Sequence, residues 1–112
     1  MSVNKVILIG YIGNDPEMRY PEPDRPIAYV SLATNERNPV TQSEITEWHR
    51  LVMTGQNARL AERYIRKGSR IYVEGRLKSR EYEDKLKIRR RITEIIVDQV
   101  ELLGRSSQQE AN

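Results

Sequence analysis

Hydrophobic and polar residues alternate along most of the chain, with the period of two that is typical of β-strands. Polar segments rich in proline, glycine and charged residues separate the alternating stretches. The sequence therefore predicts five strands, at residues 5–10, 27–34, 46–55, 69–82 and 88–104. Residues 13–26 contain four prolines and are predicted to form turns and irregular loop.

One helical pattern, at residues 58–67, follows the third predicted strand. Ala61 and Ile65 recur at helical spacing. Asn57 is the expected N-cap, and Gly68 stands where a C-terminal glycine is common. Five strands with a helix between the third and the fourth favour an OB-fold, a small five-stranded Greek-key barrel. An SH3-like barrel and a small α+β sheet are the alternatives that give a similar pattern.

The length of the chain, 112 residues, is enough for one domain with a single modest core. We expect an all-β domain over residues 1–104 and a polar, disordered tail over residues 105–112. No run approaches the roughly 20 apolar residues that cross a bilayer, and the N-terminus lacks the pattern of a secretory signal. Because the sequence also has no cysteine, we expect a cytoplasmic protein with no membrane association.

The sequence offers little for catalysis. A metal site needs clustered histidine, cysteine or carboxylate ligands, and a nucleophilic triad needs a base beside its nucleophile. His49 is the only histidine, there is no cysteine, and no glycine-rich phosphate loop is present. We therefore expect a binding protein rather than an enzyme, with no metal and no cofactor.

Positive charge is concentrated in one region of the chain. The net charge is only +3, but residues 76–91 hold eight basic residues against three acidic ones. A region of this kind is either a solvated hairpin or a surface for phosphates. The eight cations are Arg76, Lys78, Arg80, Lys85, Lys87, Arg89, Arg90 and Arg91.

The single tryptophan lies in the third predicted strand, in the sequence "TEWHRLVMTG". Leu51 and Met53 share one side of this strand and are expected to face the core, which directs Trp48 and Arg50 outward together. A base can stack on the indole ring for about 1–3 kcal/mol while the cation holds the adjacent phosphate. The alternative is that Trp48 packs under a loop or a partner subunit.

The fourth predicted strand repeats this combination of an aromatic ring and cations. Gly75 within it predicts a bulge or a sharp bend at a barrel corner. Two such strands on one barrel form a groove, which the basic hairpin at residues 80–91 extends as an arm. Stacking and phosphate contacts tolerate most base sequences, and the predicted helix fits no helix-turn-helix. Alternation places Tyr82 on the same side as Arg76, Lys78 and Arg80.

Several blocks of the sequence occur in the order, and at nearly the spacing, found in one family. They are "VNKVILIG", "DPEMRY", "SLATNER", "TEWHR", "YIRKGSRIYVEGRLKSREYED" and "TEIIVD". From about residue 3 to residue 103, the chain resembles the bacterial single-stranded DNA-binding proteins. The resemblance implies an OB-fold, a homotetramer, and binding of single-stranded DNA in replication, recombination and repair, with a location at the nucleoid. A related OB-fold accessory protein of primosome assembly, which binds single strands and partner proteins, is the alternative.

The chain departs from the family at positions that usually carry aromatic residues. The resemblance implies four stacking aromatics, of which Trp48 is retained and Tyr82 stands where a tryptophan is common. Asn38 and Thr54 occupy the other two positions, and Arg91 replaces a customary tyrosine. We therefore hypothesise that this protein stacks fewer bases and depends more on charge.

Two further expectations also rest on the resemblance. It places His49 and Tyr72 at or near subunit contacts, although each is as readily explained as an ordinary barrel residue. Family members generally continue into a linker and an acidic tip that recruits other enzymes, whereas this sequence ends in "SSQQEAN". We therefore expect no recruitment of enzymes through such a tail.

Overall fold

Residues 1–105 form six strands and one helix in the computed structural model, which describes this part of the chain. Each of the five predicted strands is present, with ends that shift by at most three residues, and one strand was not predicted. In chain order the elements are β1 (Val6–Ile12), β2 (Glu17–Glu22), β3 (Arg25–Arg37), β4 (Glu44–Thr54), α1 (Gly55–Tyr64), β5 (Ser69–Glu83) and β6 (Arg89–Arg105).

Five of the strands close into a barrel. Their neighbours follow the order β1, β5, β6, β4 and β3, and the pairing of β3 with β1 completes the circle. The β4–β6 pair is parallel, with Leu51 opposite Ile95, and the other pairs are antiparallel. This architecture confirms the predicted OB-fold.

The strand β2 corrects the prediction that residues 13–26 are irregular. It pairs with the edge of β3, with Met18 opposite Ala28. Pro21 is tolerated there because β2 is an edge strand, and the pairing register shifts at this point, between Arg19 and Glu22. The prolines predicted an irregular loop, but the segment forms a strand because it can pair with the edge of β3.

The helix α1 begins at Gly55, three residues before the predicted start, and its N-cap is Thr54 rather than Asn57. The Asn57 amide donates instead to the backbone carbonyls of Val97 and Asp98 in β6, at 3.5 and 3.3 Å. The helix ends at Tyr64 rather than at residue 67, as the Ile65 backbone turns to an extended conformation. Ala58, Ala61 and Ile65 are fully buried against the barrel.

The barrel closes tightly at one glycine of β5. A Cβ atom on Gly75 would lie 2.2 Å from the backbone oxygen of Ile96, which no real side chain tolerates. The register also shifts between Glu74 and Gly75, which confirms the predicted bulge. The core that this closure encloses includes Leu32, Leu51, Met53, Ile71 and Val73, all fully buried.

The last strand extends to Arg105, one residue past the predicted boundary of the domain at residue 104. The remainder of the predicted tail, residues 106–112, lies outside the described residues.

Candidate nucleic-acid interface

The tryptophan lies on the outer surface of the barrel, as the alternation of β4 predicts. Trp48 is 60% exposed, whereas Leu51 and Met53 on the other side of the strand are completely buried. Trp48 lies opposite Ala33 and Arg50 opposite Ser31 in the adjacent β3. The indole is therefore available to a ligand on a sheet surface that also carries a guanidinium group.

The Trp48 ring packs against Gly13, a contact that the sequence did not predict. A Cβ atom on Gly13 would lie 2.4 Å from Cζ3 of Trp48, so the ring packs directly against this backbone. The Gly13 amide donates to the carbonyl of Ser31 at 2.9 Å. This hydrogen bond holds the Gly13 backbone against β3. The ring is thus held in place on one side while more than half of its surface stays open.

A buried carboxylate positions two of the predicted arginines. Glu94 of β6 is only 5% exposed, and it accepts a hydrogen bond from Nε of Arg50 at 2.7 Å and from Nε of Arg80 at 3.0 Å. The guanidinium of Arg50 also stacks over Tyr29 at 4.9 Å, and that of Arg80 lies 5.9 Å from the Tyr82 ring centre. Both arginines and Tyr82 were predicted from the sequence, whereas Glu94 and Tyr29 were not.

Burial and the two arginines act in opposite directions on the Glu94 pKa. Desolvation raises it, but the hydrogen bonds and charges of Arg80 and Arg50 outweigh this effect and lower the pKa below its ordinary value of 4.5. The same hydrogen bond raises the pKa of Arg80. Glu94 therefore remains ionised between its two partners at neutral pH.

We expect this carboxylate to stabilise the fold at neutral pH and to lose that effect in acid. Because its folded pKa is lowered, the stabilisation is complete above the unfolded pKa and declines as the pH falls through the folded one. The difference in free energy of unfolding between the wild type and Glu94→Gln should be largest near about pH 7 and should shrink towards about pH 3. Urea denaturation across this range measures it, and a difference that does not change with pH would contradict the assignment.

The predicted row of side chains on β5 shares the outer face with Arg50. Cross-strand pairing places these residues opposite positions of β6 on the same side as Glu94. Arg76 donates to Asp98 at 2.7 Å, which fixes the near end of the row. The pairs are Arg76 with Ile96, Lys78 with Glu94, Arg80 with Ile92, and Tyr82 with Arg90.

The basic arm is a two-stranded ribbon closed by a tight turn. Asp84 accepts the backbone amides of Leu86 and Ile88 at 2.9 Å, and Lys87 adopts a positive φ of 62°. These amides together with the Arg90 guanidinium lower the Asp84 pKa, with the Ile88 amide as the largest cause. The turn is therefore well supported by hydrogen bonds.

Charges lie on both faces of this arm. Arg90 shares a face with Tyr82, while Arg89 and Arg91 face the other way, opposite Glu83 and Glu81. Arg89 pairs with Glu81 at 2.7 Å and Arg90 with Asp84 at 2.9 Å. Of the eight cations in residues 76–91, four form no salt bridge with the described residues: Lys78, Lys85, Lys87 and Arg91.

The two positions that lack the family's aromatics have local structural roles. The Asn38 side chain accepts the backbone amides of Val40 and Thr41, at 2.9 and 3.2 Å, and so orders the β3–β4 turn. Thr54 is the N-cap residue of α1. Neither position supplies a ring to the outer face.

His49 and Tyr72 lie on different parts of the barrel. His49 is half-buried opposite Leu32, and its Nε2 is 2.9 Å from Oγ1 of Thr34. Tyr72 lies opposite Ile9 of β1 and donates to Glu74 at 2.5 Å, a bond that raises the Tyr72 pKa and lowers that of Glu74. Their predicted role at subunit contacts therefore concerns residues of two different strand pairs, β3–β4 and β1–β5.

Across residues 1–105, no group of three or more His, Cys, Asp or Glu side chains could hold a metal ion. The same part of the chain contains no helix of the length and hydropathy that a membrane span requires.

The fold and the surface together define a class of protein: a small β-barrel that presents aromatic rings and cations for nucleic acid. Residues 3–103 match the model of the single-strand binding protein family. The chain belongs to this family.

Two known proteins are similar to this chain over most of its length. A single-stranded DNA-binding protein of Bacteroides thetaiotaomicron is 42% identical over 109 residues, a match that covers 93% of this chain and 68% of the relative. A solved structure, the Plasmodium falciparum SSB complex with single-stranded DNA, is similar with a TM-score of 0.80 and 36% sequence identity. That match covers 93% of this chain and 96% of the Plasmodium chain.

Proposed function

We propose that this protein binds and protects single-stranded DNA during replication, recombination and repair. The observation that carries the proposal is the exposed Trp48 beside the arginine pair that Glu94 positions. Membership of the single-strand binding protein family supports the same function.

Aromatic residues contact the bases of the strand, and basic residues contact its phosphates. Bases stack on Trp48 and Tyr82, and the cations of β4, β5, β6 and the turn of the basic arm hold the phosphates. None of these contacts reads a base edge, so binding tolerates most sequences. The proposed phosphate contacts are Arg50, Arg76, Lys78, Arg80, Lys85, Lys87, Arg89, Arg90 and Arg91.

The direct test is a titration of the protein with an oligo(dT) strand. The fluorescence of the protein's single tryptophan is measured at each addition. A base that stacks on Trp48 changes the environment of the indole and quenches its emission. We expect saturable quenching by single strands and much weaker quenching by the matched duplex. Emission that single strands leave unchanged would contradict the proposed function.

We expect binding to depend steeply on salt. Each phosphate neutralised on a single strand contributes roughly −0.7 to the slope of log K against log salt. The slope should exceed that of a relative with all four stacking aromatics, because Asn38 and Thr54 shift the balance towards charge. The measurement is the same quenching titration at several salt concentrations, and a slope no steeper than the relative's would contradict the hypothesis.

Variants that remove lysine charges show which part of the surface causes the salt dependence of binding. The double variant Lys85→Gln/Lys87→Gln should make the slope shallower by about 1.4, since two phosphate contacts are removed. Arg63→Gln is the matched control, because this cation lies in the last turn of α1 beside Tyr64. Its slope should equal that of the wild type.

We further propose a homotetramer in the cytoplasm, associated with the nucleoid, that binds DNA without enzymatic activity. Tetramers are typical of the family. His49 of the β3–β4 pair and Tyr72 of the β1–β5 pair are the proposed contact residues.

A further inference from the structure

A cleft of about 520 Å³ opens on the outer face of the barrel, between β2 and the strands that carry the arginine pair. Its volume falls within the roughly 300–1,000 Å³ that small-molecule sites occupy. Its lining includes Arg19, Tyr20, Ile27, Tyr29, Arg50 and Arg80.

This cleft is separate from the surface around Trp48. Tyr29 and the Trp48 partner Ala33 are four residues apart on β3, a distance of about 13 Å along a strand. A base stacked on Trp48 therefore leaves the cleft open. Since Arg50 lies between the two places on β4, one strand can pass from the indole into the cleft.

The arginines of the cleft are arranged to hold a phosphate. Each guanidinium carries five N–H donors, and the hydrogen bonds of Arg50 and Arg80 to Glu94 use only the Nε–H. The terminal nitrogens of both groups remain, in the fork geometry that suits phosphate oxygens. Arg19 neutralises the remaining carboxylate of the cleft, Glu17, at 2.6 Å.

Two tyrosine rings provide aromatic surface in the same cleft. Tyr29 is half-buried, and the Arg50 guanidinium 4.9 Å from its ring centre holds it in place. Tyr20 is 49% exposed, and its hydroxyl donates to Glu62 of α1. Because contacts already fix both rings, ligand binding costs little side-chain entropy.

We propose that this cleft is a second nucleotide subsite, in which Arg50 and Arg80 hold a phosphate and Tyr29, with Tyr20, contacts the base. The inference rests on the proposed binding of single-stranded DNA and adds to it a site on β2 and β3. It also supplies aromatic contacts that Asn38 and Thr54 do not provide.

The test compares Tyr29→Leu with Tyr64→Leu. Tyr64 is the matched control, since it is 57% exposed and has an arginine 5.9 Å from its ring, but it lies on α1. In the Trp48 quenching titration with oligo(dT), Tyr29→Leu should weaken binding by roughly 5- to 150-fold, the range for loss of one stacked base. Tyr64→Leu should bind as the wild type does.

A cross-linking measurement keeps the inference testable if Tyr29→Leu fails to fold. Wild-type protein is irradiated with an oligonucleotide that carries 5-iodouracil, and the modified peptides are mapped. We expect adducts at Tyr29 or Tyr20 in addition to adducts at Trp48.

The outcomes separate this inference from the function on which it rests. Saturable quenching with equal affinity for Tyr29→Leu and the wild type, or adducts at Trp48 alone, would overturn the subsite and leave single-strand binding intact. Equal weakening by the two leucine variants would also overturn it. Absence of quenching and of adducts in the wild type would overturn single-strand binding itself.

Discussion

Replacement of Trp48 by alanine is expected to weaken the binding of an oligo(dT) strand by about 1–3 kcal/mol, or roughly 5- to 150-fold. The indole is 60% exposed and packs on Gly13, so the variant removes a stacking surface and leaves the core unchanged. Since the variant has no tryptophan, the measurement is fluorescence anisotropy of a labelled oligonucleotide at fixed salt.

Trp48→Phe is the control for this experiment because it keeps a ring on the same backbone. We expect it to lose clearly less affinity than Trp48→Ala, with the same slope of affinity against salt in both variants. Trp48→Ala with wild-type affinity would remove the indole from the interface. An altered slope would mean that the substitution had also disturbed the Arg50 contacts.

Replacement of Gly75 by alanine is expected to destabilise the protein by about 2–4 kcal/mol, although it adds a single methyl group. That methyl would lie 2.2 Å from the Ile96 backbone oxygen and 3.2 Å from Cγ2 of Ile95. The barrel must open at the bulge to admit it. Urea denaturation at one fixed protein concentration measures the effect.

Gly55→Ala separates this steric effect from the general cost of replacing a glycine. A Cβ atom on Gly55 would meet nothing within 4 Å, but its backbone has a φ of +58°. The expected cost is therefore about 1–2 kcal/mol, the penalty of the left-handed conformation alone. If Gly75→Ala lowers the free energy of unfolding no more than Gly55→Ala does, then the close approach to Ile96 does not require a glycine at position 75.

The outward position of Trp48 could be predicted because it depends on one local pattern. Leu51 and Met53 mark the buried side of β4, and alternation then determines where Trp48 and Arg50 lie. The bulge at Gly75 was predictable for a similar reason. By contrast, β2 forms because it pairs with the edge of β3. The proline-rich sequence of β2 contains no local pattern that predicts this pairing.

The contacts that organise the site were not predictable from the sequence. Glu94 meets Arg50 because β4 and β6 are neighbours in a parallel pair, across 44 residues of chain. Alternation assigns a side of a strand to each residue but does not identify the neighbouring strand. Tyr29 was missed for the same reason, since its contact with Arg50 depends on the register of β3 against β4.

The basic arm carries cations on both of its faces, with Arg90 beside Tyr82 on one and Arg89 and Arg91 on the other. On the second face Glu81 and Glu83 balance the two arginines, whereas Arg90 shares its face with Arg80 and Tyr82. The positive excess of the arm therefore lies on the Tyr82 face, so the arm is electrostatically asymmetric and attracts a polyanion more strongly from that side.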